Sequence, residues 1–299
     1  MERAQLPPIA AARPHRAYAL VAGLTVTAAL VTGCDSVSGI PGDPVEATTA
    51  APTTTAAPTT TATQAIAPGE PAPNSPLPAD APQVGAVAGH ADAVTAVRRW
   101  AADLRTGTIE ELQDNCWTIP PGTVAEMYAD PQSVLAALTG PGTATADTVT
   151  WRSRTVTVTV DRESVASGYA CGRVSAVGVE PGYDDADARH TVRRYLARAT
   201  GKPLNAADIE ADHPLTCKAS PATWDPEGTG NPVAAPLTGD SGKVGNVTSY
   251  TGEELRSDQV RGDYLAVHVP VTTSPGGTRT RTFTVVATAE GYCIGDVTI

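Results

Sequence analysis

One phenylalanine, two methionines and three lysines are all that 299 residues contain, and aromatic side chains make up 4% of the chain. So few rings exclude a large ring-stacked core, and any folded unit built from this composition gains from covalent staples. The 21 basic residues are Lys202, Lys218, Lys243 and eighteen arginines, set against 32 acids, for a formal net charge of −11. No basic patch interleaved with aromatics occurs, so neither nucleic acid nor an anionic lipid surface is expected as a partner by charge. The cysteines form no Cys-x-x-Cys pair, so neither a zinc site nor another metal is expected. Gly201-Lys202-Pro203 and Gly242-Lys243-Val244 lack the glycine spacing and the hydroxyl residue of a phosphate loop, and no cofactor is expected. The longest apolar run, Ala17 to Leu30, is short of the roughly 20 residues a comfortable membrane span takes.

What is present begins with that run. Arg3, Arg13, His15 and Arg16 precede it and Val31-Thr32-Gly33-Cys34 follows it, the arrangement of a secretory signal with small residues before a cut. Small residues followed by a cysteine resemble the lipobox of bacterial lipoproteins. The resemblance implies that residues 1–33 are a signal peptide and that Cys34 is the lipidated first residue of the mature chain. It places the rest at the outer face of the cell membrane, extending into the cell wall. The Ala, Thr, Gly, Pro and Val bias and the preference for arginine over lysine match the exported lipoproteins of actinobacteria. Removing the signal, which carries +2 from Arg3, Arg13 and Arg16 against Glu2, takes the net charge from −11 to −13.

Residues 34–87 read as a disordered linker. Ten prolines lie between Pro41 and Pro82 among runs such as Thr53-Thr54-Thr55, with little that is large and apolar to bury. At about 3.1 Å per residue in polyproline conformation, some fifty residues would reach at most about 150 Å.

Folding sequence is expected from Ala88. Asp92 is placed to cap a helix whose apolar positions Val94, Val97, Trp100, Ala101 and Leu104 share one face, with Arg98 and Arg99 pointing away from it. Asp130-Pro131 opens a second, short helix. Alternation then predicts strands at Val149/Trp151 and Val156/Val158/Val160, with a further strand from Tyr169 to Val179. The plan starts again after Asp184, Asp185 and Asp187. Val97-Arg98-Arg99 is answered by Val192-Arg193-Arg194, and Gly168-Tyr169-Ala170-Cys171-Gly172 by Gly291-Tyr292-Cys293-Ile294-Gly295. Between them come alternating runs at Leu265/Val267/Val269/Val271 and Phe283/Val285. We read an internal duplication.

Helices followed by antiparallel strands give an α+β class, with helices on one face of a curved sheet. The element order and the closing Gly-Tyr-Cys segment resemble nuclear-transport-factor-2-like, or cystatin-like, domains. The resemblance implies two tandem copies, 88–182 and 183–299, the second carrying an insertion over about 218–245 that would lie over the mouth of its sheet. Four cysteines allow three pairings, and one bridge per copy, Cys116–Cys171 and Cys217–Cys293, is the pattern a duplication would preserve.

Gly239-Asp240-Ser241-Gly242 resembles the nucleophile segment of chymotrypsin-like proteases, but His213 lies too close upstream for the required separate barrels, and the residue types suit a turn. Asp184, Asp185 and Asp187 hint at calcium, yet His190 and Tyr195 fall where an EF-hand needs glycine and glutamate, so they are expected to cap a helix. His268 lies on the polar phase of a strand, facing solvent or a cavity, and only a buried His268 facing an aspartate would make it a catalytic candidate. Arg98, Arg99, Arg193 and Arg194 read as solvated helix faces, or functionally as contacts to a partner. These features favour a non-catalytic binding or scaffolding module whose partners are the membrane, through its anchor, and an envelope protein or small apolar ligand. A carrier of apolar ligands, a component of a conjugation or secretion assembly, and an isomerase- or dehydratase-like enzyme are the alternatives that the family resemblance implies.

Overall fold

The computed structural model describes residues 76–179, 182–274 and 276–298, which fall within one unit, Gln64–Ile299. The signal peptide, Cys34 and most of the linker lie outside the described residues. The chain is α+β: a long helix packs on an antiparallel sheet twice over.

Helix α1 (Ala91–Thr106) buries Val97, Trp100, Ala101 and Leu104 on the expected face. Its N-cap is His90, not Asp92; Asp92 sits in the first turn, where its charge meets the free amides and the dipole. Helix α2 (Ile109–Asn115) opens with a capping box in which Glu111 N donates to Thr108 Oγ1 (3.2 Å) and Thr108 N to Glu111 Oε2 (2.8 Å). Helix α3 (Pro121–Met127) starts on a proline, and α4 (Pro131–Leu138) starts as expected, with Ser133 N donating to Asp130 Oδ1.

Strands β1 (Thr143–Ala144), β2 (Thr148–Arg152), β3 (Val156–Asp161) and β4 (Arg173–Ala176) form an antiparallel sheet in chain order, with the short helix α5 (Arg162–Ala166) before β4. Register aligns Trp151, Val158 and Val174 on one face, beside the pair Val149–Val160. Trp100 of α1 fills the space above them. A Cβ on Gly172 would lie 2.5 Å from Val158 Cγ1 and 2.8 Å from the Trp100 ring, so that approach requires glycine. The last strand is shorter than the expected Tyr169–Val179. Tyr169 and Ala170 are buried behind α1 instead, with the Tyr169 hydroxyl donating to Asp103 Oδ2 (2.8 Å).

The folded part also begins earlier than the expected boundary at residue 88. Ala81, Val84 and Val87 are buried, Gly85 N donates to Leu138 O, and Trp151 Nε1 donates to Gly85 O. A proline-rich composition had suggested tether, but three small apolar side chains suffice to dock this strap beside α1 and the turn after α4.

In the second half, helix α6 (Asp185–Ala199) presents Ala188, Val192 and Leu196 to a five-stranded sheet. After the four-residue α7 (Pro236–Gly239) come β5 (Val247–Tyr250), β6 (Arg256–Arg261), β7 (Tyr264–Thr273), β8 (Gly277–Thr288) and β9 (Gly291–Thr298). Strands β7, β8 and β9 form a meander, and β5 and β6 share the other edge of β7. Leu265, Val267, Val269, Val271, Phe283, Val285, Ile294 and Val297 face α6. The insertion wraps the β9 edge. Trp224, with Ala235 and Cys217, packs against Tyr264, Val286 and Cys293 on the outer face, while Leu237 and Val244 enter the inner core. Both disulfides join the expected partners, Cys116–Cys171 and Cys217–Cys293, with Cα separations of 5.8 and 4.8 Å.

Candidate functional site at the seam between the halves

Trp117 follows the half-cystine Cys116 and is 7% exposed, although it is not part of either helix-on-sheet core. Second-half groups surround it. The Arg194 guanidinium lies 4.9 Å from the ring centroid, His213 meets the ring edge-on at 4.9 Å, and His190 Nε2 is 2.8 Å from the Trp117 carbonyl oxygen. Since a carbonyl only accepts, Nε2 carries the hydrogen and Nδ1 is left as an acceptor. Burial lowers the His190 pKa to about 4; the bond to Trp117 opposes the shift and Arg194 and Arg193 add to it. The imidazole is therefore neutral near pH 7.

Arg194 is held in place by Asp208, which accepts from its Nη2 at 2.7 Å and its Nε at 3.3 Å. Arg198, one turn further on α6, also pairs with Asp208 and reaches Glu210 at 2.7 Å. Asp208 is 1% exposed. Burial alone would raise its pKa, but bonds from the two guanidiniums outweigh it and hold the carboxyl below its ordinary range.

On the first-half side of the seam, Arg173 Nη2 pairs with Asp187 Oδ1 at 2.6 Å and lies over the Tyr183 ring at 4.3 Å. Arg173 and Tyr183, together with Asp161, Arg194, His213 and Glu290, line a cleft of about 130 Å³. Burial raises the Asp161 pKa; Arg173 opposes this, and Glu163 and Glu290 reinforce it. Two other clefts flank α6, of about 200 and 370 Å³, and share Pro121, His190 and Arg193.

Of the four arginines expected as solvated faces, only Arg193 is exposed. Arg98 Nε donates to Pro82 O at 3.2 Å and Arg99 Nη1 to Gly168 O at 2.9 Å, because the strap and the segment after α5 cover that side of α1. Arg194 is buried in the seam. Two of the three aspartates at the start of α6 cap it: Asp184 accepts from Ala186 N and Asp187 N, and Asp187 accepts from Asp184 N, while Asp185, in the first turn, accepts from Ser257 Oγ. Among the described residues no group of three or more His, Cys, Asp or Glu side chains is placed to hold a metal ion. Ser241 begins a single turn of 3₁₀-helix in which Asp240 accepts from Gly242 N. His268 does face an aspartate, Asp258, at 3.3 Å, and its Nδ1 lies 2.9 Å from Thr282 Oγ1. The trio sits on the outer face of the second sheet, and the Asp258 side chain is 78% exposed, so the pair is solvated and not sequestered.

Sequence reasoning missed Trp117, Asp208, Arg173, Tyr183 and His213 as a group. One signal was available: Thr108-x-x-Glu111 marks a helix start, which puts Cys116-Trp117 just beyond its end. Chemically the seam is a latch of paired charges around one ring. No family model, curated protein or solved structure matches this chain.

Proposed function

We propose that this chain is a lipid-anchored cell-envelope protein whose folded part is a non-catalytic binding or scaffolding module. The single observation that carries the second half of this reading is that both helix-on-sheet interiors are filled. Trp100 and Trp151 in the first, and Phe283, Leu196 and Ile294 in the second, are each fully buried. A filled interior offers neither the apolar cavity of a carrier nor the sequestered acid–base pair of an isomerase. The anchor is argued from Arg3 to Cys34 and is supported by two disulfides, which persist in oxidising compartments outside the cytoplasm. The tandem nuclear-transport-factor-2-like reading is supported by the repeated order of long helix, antiparallel meander and cystine.

The test is intact-mass analysis of protein from its native membrane, combined with labelling by an alkyne fatty acid. We expect a chain beginning at acylated Cys34 that gains the mass of two reduced bridges on thiol treatment, and no label in Cys34→Ala. A chain keeping its original N-terminus, without label, would overturn the anchor. Saturable uptake of an apolar fluorescent dye would overturn the filled-interior argument in favour of a carrier.

A further inference from the structure

Helix α6 carries two pairs of arginines, each four residues apart, and they have opposite fates. Arg194 and Arg198 converge on Asp208. Arg189 and Arg193 line the clefts and have no carboxylate within 4.0 Å among the described residues: Arg189 Nη1 donates to Ser257 Oγ, which in turn donates to Asp185, and Arg193 stands beside the Tyr250 hydroxyl. In a chain of net charge −11, a guanidinium left unneutralised inside a walled cleft is an anion-binding element.

The surroundings narrow the anion. The larger cleft, about 370 Å³, falls in the size range of small-molecule and short-peptide sites. Trp117 and Leu204 give it apolar walls, and Leu204 is 38% exposed. Asn205 Oδ1 accepts from Ala207 N, and among the described residues its amide N–H pair has no acceptor. His190 lines the same cleft as an acceptor only, because its Nε2–H bonds Trp117 O. A ligand meeting all of these has a carboxylate for Arg193 and Asn205, an N–H for His190, and an apolar side chain between them. Carboxylate, N–H and side chain on one carbon are a peptide C-terminus. Asp114 lines the larger cleft and Glu253 the smaller, and they disfavour a second negative charge on the ligand.

We propose that the seam cleft around Arg193 binds the free C-terminal carboxylate of a short peptide with an apolar last residue. This deepens the binding-module reading and rests on it, but it does not use the anchor. Peptide binding that fails in a protein that still labels at Cys34 removes only this site, and the converse removes only the anchor.

The experiment is calorimetric titration of the full-length chain, purified in detergent, with N-acetyl-Ala-Ala-Leu as the free acid and as the C-terminal amide. We expect saturable binding of the acid and at least about tenfold weaker binding of the amide, as befits a charge-assisted fork. Arg193→Ala should weaken the acid about tenfold with an unchanged melting temperature, since its side chain is exposed. Lys202→Ala, an exposed cation outside the cleft, should bind like the parent. Equal affinity for acid and amide, no saturable binding of the acid, or full affinity in Arg193→Ala would overturn the proposal. So would displacement by acetate at equal concentration, which would make the site one for simple anions.

Discussion

Arg98-Arg99 on α1 and Arg193-Arg194 on α6 occupy matching places in the two halves, yet only one of the four side chains is exposed. On α1 the pair ties down chain of its own half: Arg98 holds the strap at Ala81 and Pro82, and Arg99 holds Gly168. On α6 one member turns into the seam, packs on Trp117 of the other half and takes a buried carboxylate, while its neighbour faces a cleft. A helix position sets direction only; what packs against that direction decides whether the same residue is a strut, a latch or a free cation.

The largest effect should come from removing the anion on which the second pair depends. Asp208→Asn leaves Arg194 and Arg198 buried against a neutral amide, and taking one partner from a buried ion pair typically costs about 3–5 kcal/mol. Urea unfolding should show that loss. A comparable loss is expected when Cys116 and Cys171 are both changed to alanine, since the bridge closes a 55-residue loop and by loop-closure entropy contributes about 4 kcal/mol. If either change gave a biphasic transition, the halves would be unfolding independently and the seam would be weaker than its contacts imply.

Acid should loosen the seam next. The folded His190 resists protonation until about pH 4, whereas an unfolded chain takes the proton near the ordinary 6.5. The unfolded state then binds more protons between these values, so stability is unaffected well above pH 6.5, falls as pH drops from 6.5 to 4, and levels off below. At about 1.4 kcal/mol per unit the fall amounts to about 3 kcal/mol. His190→Gln, which keeps an N–H for Trp117 O, should lack this slope, so that the difference between the two proteins' unfolding free energies carries it. A slope that persists unchanged in the variant would assign the acid sensitivity to other groups.

Much of the α+β plan was legible because it rests on local rules. Asp130-Pro131, the Val149/Trp151 and Val156–Val160 alternations and the Leu265–Val271 run all formed the elements their spacing predicts, and one cystine per half is the pattern that the duplication implied. The seam was not legible, since its groups come from places with no shared period: Trp117 just past α2, Arg173 at the start of β4, Asp208 in a loop of small and polar residues. The strap at 81–87 misled for a related reason. Its prolines describe how the chain behaves alone, and nothing in them reports the groove that α1 and Gly140 leave for Val84 and Val87.

The smallest effects sharpen the comparison of the arginine pairs most directly. Arg99→Ala removes a 2.9 Å bond to Gly168 O from a half-buried site and should cost about 1 kcal/mol, the ordinary net value of such a bond. Arg193→Ala, one position before the place on α6 that matches Arg99, should fall within about 0.5 kcal/mol of the parent, as exposed surface changes do. Measured side by side by urea unfolding, the two variants ask whether a side chain that the fold does not use has been kept for something outside it. A loss at Arg193 as large as that at Arg99 would mean that the fold does use it and that its exposure is misleading. A stable Arg193→Ala protein that no longer takes up a peptide carboxylate would separate binding from folding within one helix, one and five residues from the arginines that clamp Asp208.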